Sequence, residues 1–260
     1  MRVGAQSKGD HTMIFKKNLK IVTAALGVLL ISIILIAWGL YAKPVHAALV
    51  GYSNMIEVAP EVYMEPGSPK DLQNELLNYV NHAQEKVADV FGKRSSSPYL
   101  IVALSSKKLG KYAENPVGQT YYLPWNNYIV VGPEGLNENV ISHEFTHAEL
   151  RERFHNRNAV PVWFDEGLAS MIDGRLSNSA AVWKQVTNNG LAPVDYGLLD
   201  SHEAFRYGTS EALTNYNLSC YEVTRWFTIA GQDGLLRLID ALNQGQDFAE
   251  QYSRIERAQP

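Results

Sequence analysis

The chain has 260 residues, 46% of them hydrophobic and 19% charged, a balance that excludes a disordered or low-complexity protein. Its formal charge of −4 is unevenly spread, because residues 1–20 carry a net +4 and the other 240 carry −8. An acidic body without a basic stripe argues against nucleic acid as a partner, and the single cysteine, Cys220, excludes an intrachain disulfide and a four-cysteine zinc site.

Residues 21–42 form an uncharged apolar run of 22 residues. As a helix it is about 33 Å long, enough to cross a hydrocarbon core of about 30 Å. The expectation is one transmembrane helix over 21–42, preceded by a cytoplasmic basic segment, 1–20, and embedded in the lipid bilayer. Lys8, Lys16, Lys17 and Lys20 flank one end and Lys43 alone the other, so the amino terminus lies in the cytoplasm and everything after Ala42 outside it. Trp38 and Tyr41 suit the outer interface. The alternative is a cleaved signal peptide, with Val45-His46-Ala47 as a small-residue site before Ala48, although such apolar regions usually run to about 7–15 residues. Either reading exports the remainder.

Residues 43–54 read as a linker to a domain spanning 55–260. Alternating Ile56, Val58, Val62 and Met64 suggest a strand, with Pro60 marking it as an edge. Ser68 as N-cap, Pro69 at the first helical position and Asp71 at the third open a helix that runs to Gly92. Residues 99–104 read as a buried strand. Two further strands, 118–123 and 128–131, form a hairpin across Pro124-Trp125-Asn126-Asn127. From Asn137 the pattern is mainly helical, with turns at Gly174, Asn188-Asn189-Gly190 and Gly231 to Gly234.

The chemistry centres on His143-Glu144-Phe145-Thr146-His147, an H-E-x-x-H on a predicted helix. Histidines four apart share one helix face and can share one metal ion, while Glu144 beside them is placed to act as a general base. Two solvated histidines on an amphipathic helix are the alternative. Against that stands Glu166, in the apolar stretch Val162-Trp163-Phe164-Asp165-Glu166-Gly167-Leu168-Ala169, where a buried carboxylate needs a partner and a metal supplies one. His155 and His202 read as solvated. Asp165 is a candidate acceptor for a metal-bound imidazole, and Cys220 reads as a small buried hydrophobe.

HEFTH followed by WFDEGLA, with 18 residues between His147 and Glu166, resembles the gluzincin metallopeptidases, especially relatives of the zinc aminopeptidases and the small minigluzincins. The resemblance covers roughly residues 97–250. It implies one zinc ion held by His143, His147 and Glu166, Glu144 as catalytic base, and a peptide or protein substrate. It also implies an α+β fold, in which a small mixed-sheet subdomain packs on a helical one with the zinc cleft between them, as in a thermolysin-like core. An oxyanion-stabilising tyrosine carries over best to Tyr216, with Tyr221 and Tyr207 as competitors. The aminopeptidases' G-x-M-E-N type motif has no counterpart between Tyr99 and Val140. Endopeptidase action outside the cytoplasm is therefore the expectation. A zinc-stabilised binding module without turnover, and a scaffold without metal, are the competing classes.

Overall fold

The structure, a computed structural model, describes residues 22–23, 25–32, 36, 39, 41–156, 158–206 and 208–258. The expected cytoplasmic segment, 1–20, lies outside the described residues, as do eight positions of the 21–42 stretch. No helix among the described residues is long and apolar enough to cross a membrane.

The amino-terminal half of the domain is built on a mixed sheet of five strands. The expected single strand at its start is instead an antiparallel hairpin, β1 (Ile56–Ala59) and β2 (Val62–Met64). Pro60 cannot donate to a ladder and Glu61 takes a φ of +64°, so the chain reverses between them. The edge position holds for β1 only. On its other side β2 runs parallel to β3 (Tyr99–Val102), which is parallel in turn to β5 (Asn127–Val131). The far edge is β4 (Gly118–Tyr122), antiparallel to β5. Helix α2 (Lys70–Phe91) makes the crossover from β2 to β3. Ser68 does not cap it by its hydroxyl, which donates to the Glu65 carbonyl instead.

Alternation along the strands sends side chains to both faces, and both are covered. Met64, Leu100, Val102, Ile129 and Val131 point into the larger core with α2. Tyr63, Ile101, Tyr128 and Val130 point the other way, into a second cluster with Ala47, Val50 and Leu109. That second layer consists of α1 (Ala42–Ala48), a 3-10 turn over Val50–Tyr52, and α3 (Ser106–Tyr112). The 43–54 segment, expected as a linker, is thus docked on the sheet: Ala47 and Val50 are buried, and the His46 ring donates from Nδ1 to the Lys111 carbonyl at 3.1 Å. Helix α3 lacks a long apolar pattern, but Ser105 caps it by accepting from the Lys108 backbone N–H.

The carboxyl-terminal half is helical as expected. Helix α4 (Glu138–Arg153), capped by Asn137, lies between the sheet and α5 (Val162–Asp173). Gly174 ends α5 in the left-handed conformation, and Asn188 and Asn189 follow α6 (Ser179–Val186) with positive φ. Residues 231–234 are no open turn. The helical run α7 (Ser210–Asn243) continues through them, broken at Gly231 alone, and α8 (Phe248–Arg257) folds back on it. Gly167 lets α5 and α7 touch, since a Cβ there would lie 2.6 Å from the Ser219 carbonyl oxygen. Trp226 stacks on Tyr252 at 4.8 Å and caps this core.

Candidate metal centre

Helix α4 is enclosed on both sides, and its residues from Val140 to Leu150 are all buried. Polar side chains in such a helix must find partners, because an unpaired buried charge costs several kcal/mol. Glu149 finds them in the 93–98 loop, accepting from the Ser95 and Ser96 backbone N–H groups and the Ser96 hydroxyl, and from Arg153 Nε at 2.7 Å. Ser96 is itself buried, so a loop that reads as surface is anchored by a buried carboxylate.

Two more buried polar residues of α4, His143 and His147, pair with acids of α5. His143 and His147 lie with ring centroids 4.7 Å apart. Their Nε2 atoms stand 3.3 Å and 3.6 Å from Glu166 Oε2. Neither nitrogen is aligned to donate, so that oxygen is buried without a hydrogen bond. Donors held about 2.1 Å from a tetrahedral ion stand about 3.4 Å apart, which matches both spacings. The outer nitrogens are engaged elsewhere: Nδ1 of His147 donates to Asp165 Oδ1 at 2.7 Å and Nδ1 of His143 to Asp173 Oδ2 at 2.8 Å. With the proton fixed on Nδ1, each Nε2 presents its lone pair to the common centre. The three residues can hold one metal ion.

The electrostatics favour a cation at this point. Burial works against protonated imidazoles, but Asp173 and Glu166 outweigh it at His143, and Asp165, Tyr122 and Glu166 outweigh it at His147, so both pKa values lie above the ordinary value. Burial likewise opposes the Glu166 carboxylate, yet the two imidazoles pull its pKa below the usual range. Asp173 is also held below its ordinary value: burial raises it, while His143 and Arg175 more than offset this. Arg175 Nη2 lies 2.8 Å from Asp173, and Arg151 Nη2 3.4 Å from Asp165.

No family model and no curated protein matches the chain.

A cleft of about 380 Å³ opens beside the centre, lined by His143, Glu144 and Tyr216 together with Val117, Leu213 and Arg175. Glu144 accepts a hydrogen bond from the Thr120 hydroxyl of β4. Gly118, also on β4, leaves room for it, since a Cβ at that position would lie 2.6 Å from Glu144 Oε1. Tyr216 packs edge-on against His143, with ring centroids 6.2 Å apart, and its hydroxyl donates to the Phe205 carbonyl at 3.4 Å. Burial and the nearby Glu166 carboxylate push its pKa well up, so the hydroxyl keeps its proton. Tyr221, its competitor, stacks on Trp183 at 4.6 Å; Tyr207 lies outside the described residues. His155 follows the end of α4 and is exposed, while exposed His202 stands on the wall of the adjoining groove, which Tyr122 and Thr120 also line. Cys220 is a buried free thiol.

The structure thus brings together all five residues singled out for chemistry, and Asp165 accepts from the His147 ring. Sequence reasoning missed Asp173, Arg175, Thr120 and Gly118. Asp173 carries a signal: an acid in the last turn of a helix opposes the helix dipole and calls for a compensating group. Thr120 and Gly118 carry none, because only the closing of β4 over α4 brings them to Glu144.

Proposed function

We propose that this protein is a zinc metallopeptidase of the gluzincin type, with a thermolysin-like catalytic core, anchored in a membrane by residues 21–42 and acting outside the cytoplasm. The observation that carries the reading is the buried convergence of His143, His147 and Glu166 on one point, with Glu144 beside them at the cleft floor. Two imidazoles and one carboxylate are the donor set of a hydrolytic zinc site with one position left open. Bound zinc supplies Lewis-acid polarisation of a scissile carbonyl and lowers the pKa of a water. Glu144 takes the proton of the attacking water and delivers it to the leaving amine, its carboxylate oriented by the Thr120 hydroxyl. Tyr216 turns its hydroxyl from the weakly bonded Phe205 carbonyl to the developing oxyanion. An extended substrate pairs with β4, whose outer edge carries no other strand among the described residues. The anchor reading is supported by the uncharged length of 21–42 and by Leu26, Val28 and Leu30, which leave their side chains exposed.

The test uses the full chain purified in detergent. Metal analysis should return one zinc per chain, lost in His143→Ala, His147→Ala and Glu166→Ala. A peptide library should be cleaved by the protein and spared when a chelator is added, and Glu144→Gln should keep the zinc while losing several orders of magnitude in turnover. Cleavage insensitive to acetylation of the peptide amino terminus is expected of an endopeptidase. Full zinc occupancy in the ligand variants, or undiminished cleavage by Glu144→Gln, would overturn the assignment.

A further inference from the structure

The layer formed by α1 and α3 is the first folded structure after the apolar stretch, and it is unlike the rest of the molecule. Residues 41–54 and 104–114 carry Lys43, Lys107, Lys108 and Lys111 against Glu114 alone, a net +3, within a chain whose last 240 residues total −8. Tyr41, Leu49 and Tyr52 are exposed here, Tyr52 at 93%, which is the composition of surfaces that sit among lipid headgroups. The layer is also fixed to the cleft. Lys43, one residue past the apolar stretch, places its Nζ 2.6 Å from Glu114 Oε1. Glu114 and its neighbour Asn115 line the groove that holds Glu144 and His147. Burial of Ala47 and Val50 and the bond from His46 to Lys111 dock this segment on the sheet and on α3.

We propose that the α1 and α3 layer lies against the anionic phospholipid surface from which the chain emerges, so that the cleft opens at the bilayer and takes polypeptide segments that are themselves tethered close to it. This rests on the membrane-anchored peptidase reading above. A domain on a flexible stalk would sample a wide shell of distances, whereas this one is held with its groove one lysine side chain from the point of exit.

Two measurements on the full chain in vesicles containing anionic phospholipid test it. A dye at Ser106→Cys, on α3, should transfer energy efficiently to an acceptor on the lipid headgroups, and a dye at Gln244→Cys, beyond α7, should transfer poorly. Equal transfer from the two positions would overturn the proposal, and this arm needs no peptidase activity. In the second arm, a membrane-anchored substrate with its cleavable segment about 5 residues from the bilayer should be cut about tenfold faster than one with the segment about 40 residues away. Inserting about 30 Gly/Ser residues between Tyr41 and Ala42, a spacer of roughly 30 Å, and replacing Lys107, Lys108 and Lys111 with glutamate should abolish that preference. A rate ratio near one for the unmodified chain, or a ratio indifferent to these changes, would also sink the idea. Loss of all cleavage, with soluble peptides included, would count against the peptidase reading and leave the dye measurement to decide the orientation.

Discussion

At the scale of single residues, the proposed function divides the centre into groups that would hold a cation and groups that would aim the chemistry, and the two sets should respond differently to substitution. Tyr216 reaches the cleft and Tyr221 is occupied by Trp183. Tyr216→Phe should therefore cost about 10²- to 10³-fold in turnover with metal content unchanged, the usual worth of one oxyanion donor, while Tyr221→Phe should leave turnover alone. Steady-state assays beside metal analysis check both. Gly118→Ala is a sharper probe, because the added methyl meets the Glu144 carboxylate first, at 2.6 Å, ahead of Val140 Cγ1 at 3.2 Å. It should lower turnover about 10²-fold, the effect of moving a reacting group by about 1 Å, and leave metal binding intact. The His143, His147 and Glu166 cluster was legible from the sequence because its logic is local: a spacing of four on one helix and a carboxylate in an apolar stretch. Asp173 stands 30 positions from His143, whose Nδ1 donates to it, and Thr120 stands 24 from Glu144, which accepts from its hydroxyl, so these contacts appear only once the elements are packed.

At the scale of elements, the joints are made by carboxylates that accept backbone N–H groups. Glu65, at the end of β2, accepts from the Leu104 and Ser105 N–H groups at 2.9 Å and 2.8 Å and from the Ser105 hydroxyl at 2.7 Å. Partial burial opposes its charge, but these hydrogen bonds and Lys108 outweigh the penalty and hold its pKa below the ordinary carboxylate value. A depressed folded-state pKa means that the unfolded chain takes up protons first. The stabilisation is then fully present above about pH 4.5 and fades as pH falls through the folded value. Glu65→Gln should lose about 1–2 kcal/mol at pH 7, discounted for its partial exposure. Urea titrations should show that gap closing below about pH 4. Helix α2, strand β3, the β4–β5 hairpin and the helical half follow the sequence reading, since each has its own periodicity and stop signals. The β1–β2 reversal and the docking of α1 escaped it. Glu61 carries no glycine to announce a positive φ, and α1 has seven residues whose conformation is fixed by the sheet beneath them.

At the scale of the whole molecule, the candidate metal centre joins residues of α4 and α5, and α5 in turn is pressed on α7 at Gly167; on the proposed function a bound ion would clasp the two helices together. An ion bound only by the folded state adds about 4 kcal/mol at a free concentration 1,000 times its dissociation constant. Chelation should therefore lower the melting temperature by roughly 10 °C for a domain of this size. Calorimetry should show no such shift in Glu166→Ala, and a wild-type melting temperature indifferent to chelator would contradict the clasp. The residues that meet at this centre come from β4, α4, α5 and α7, between Thr120 and Tyr216. An unfolded chain therefore holds no pre-shaped pocket to carry an ion through a translocation pore. If the domain is exported unfolded, its ion is acquired where it folds. Any metal found in the mature protein would then report the ion supply of that compartment, not of the one where the chain was synthesised.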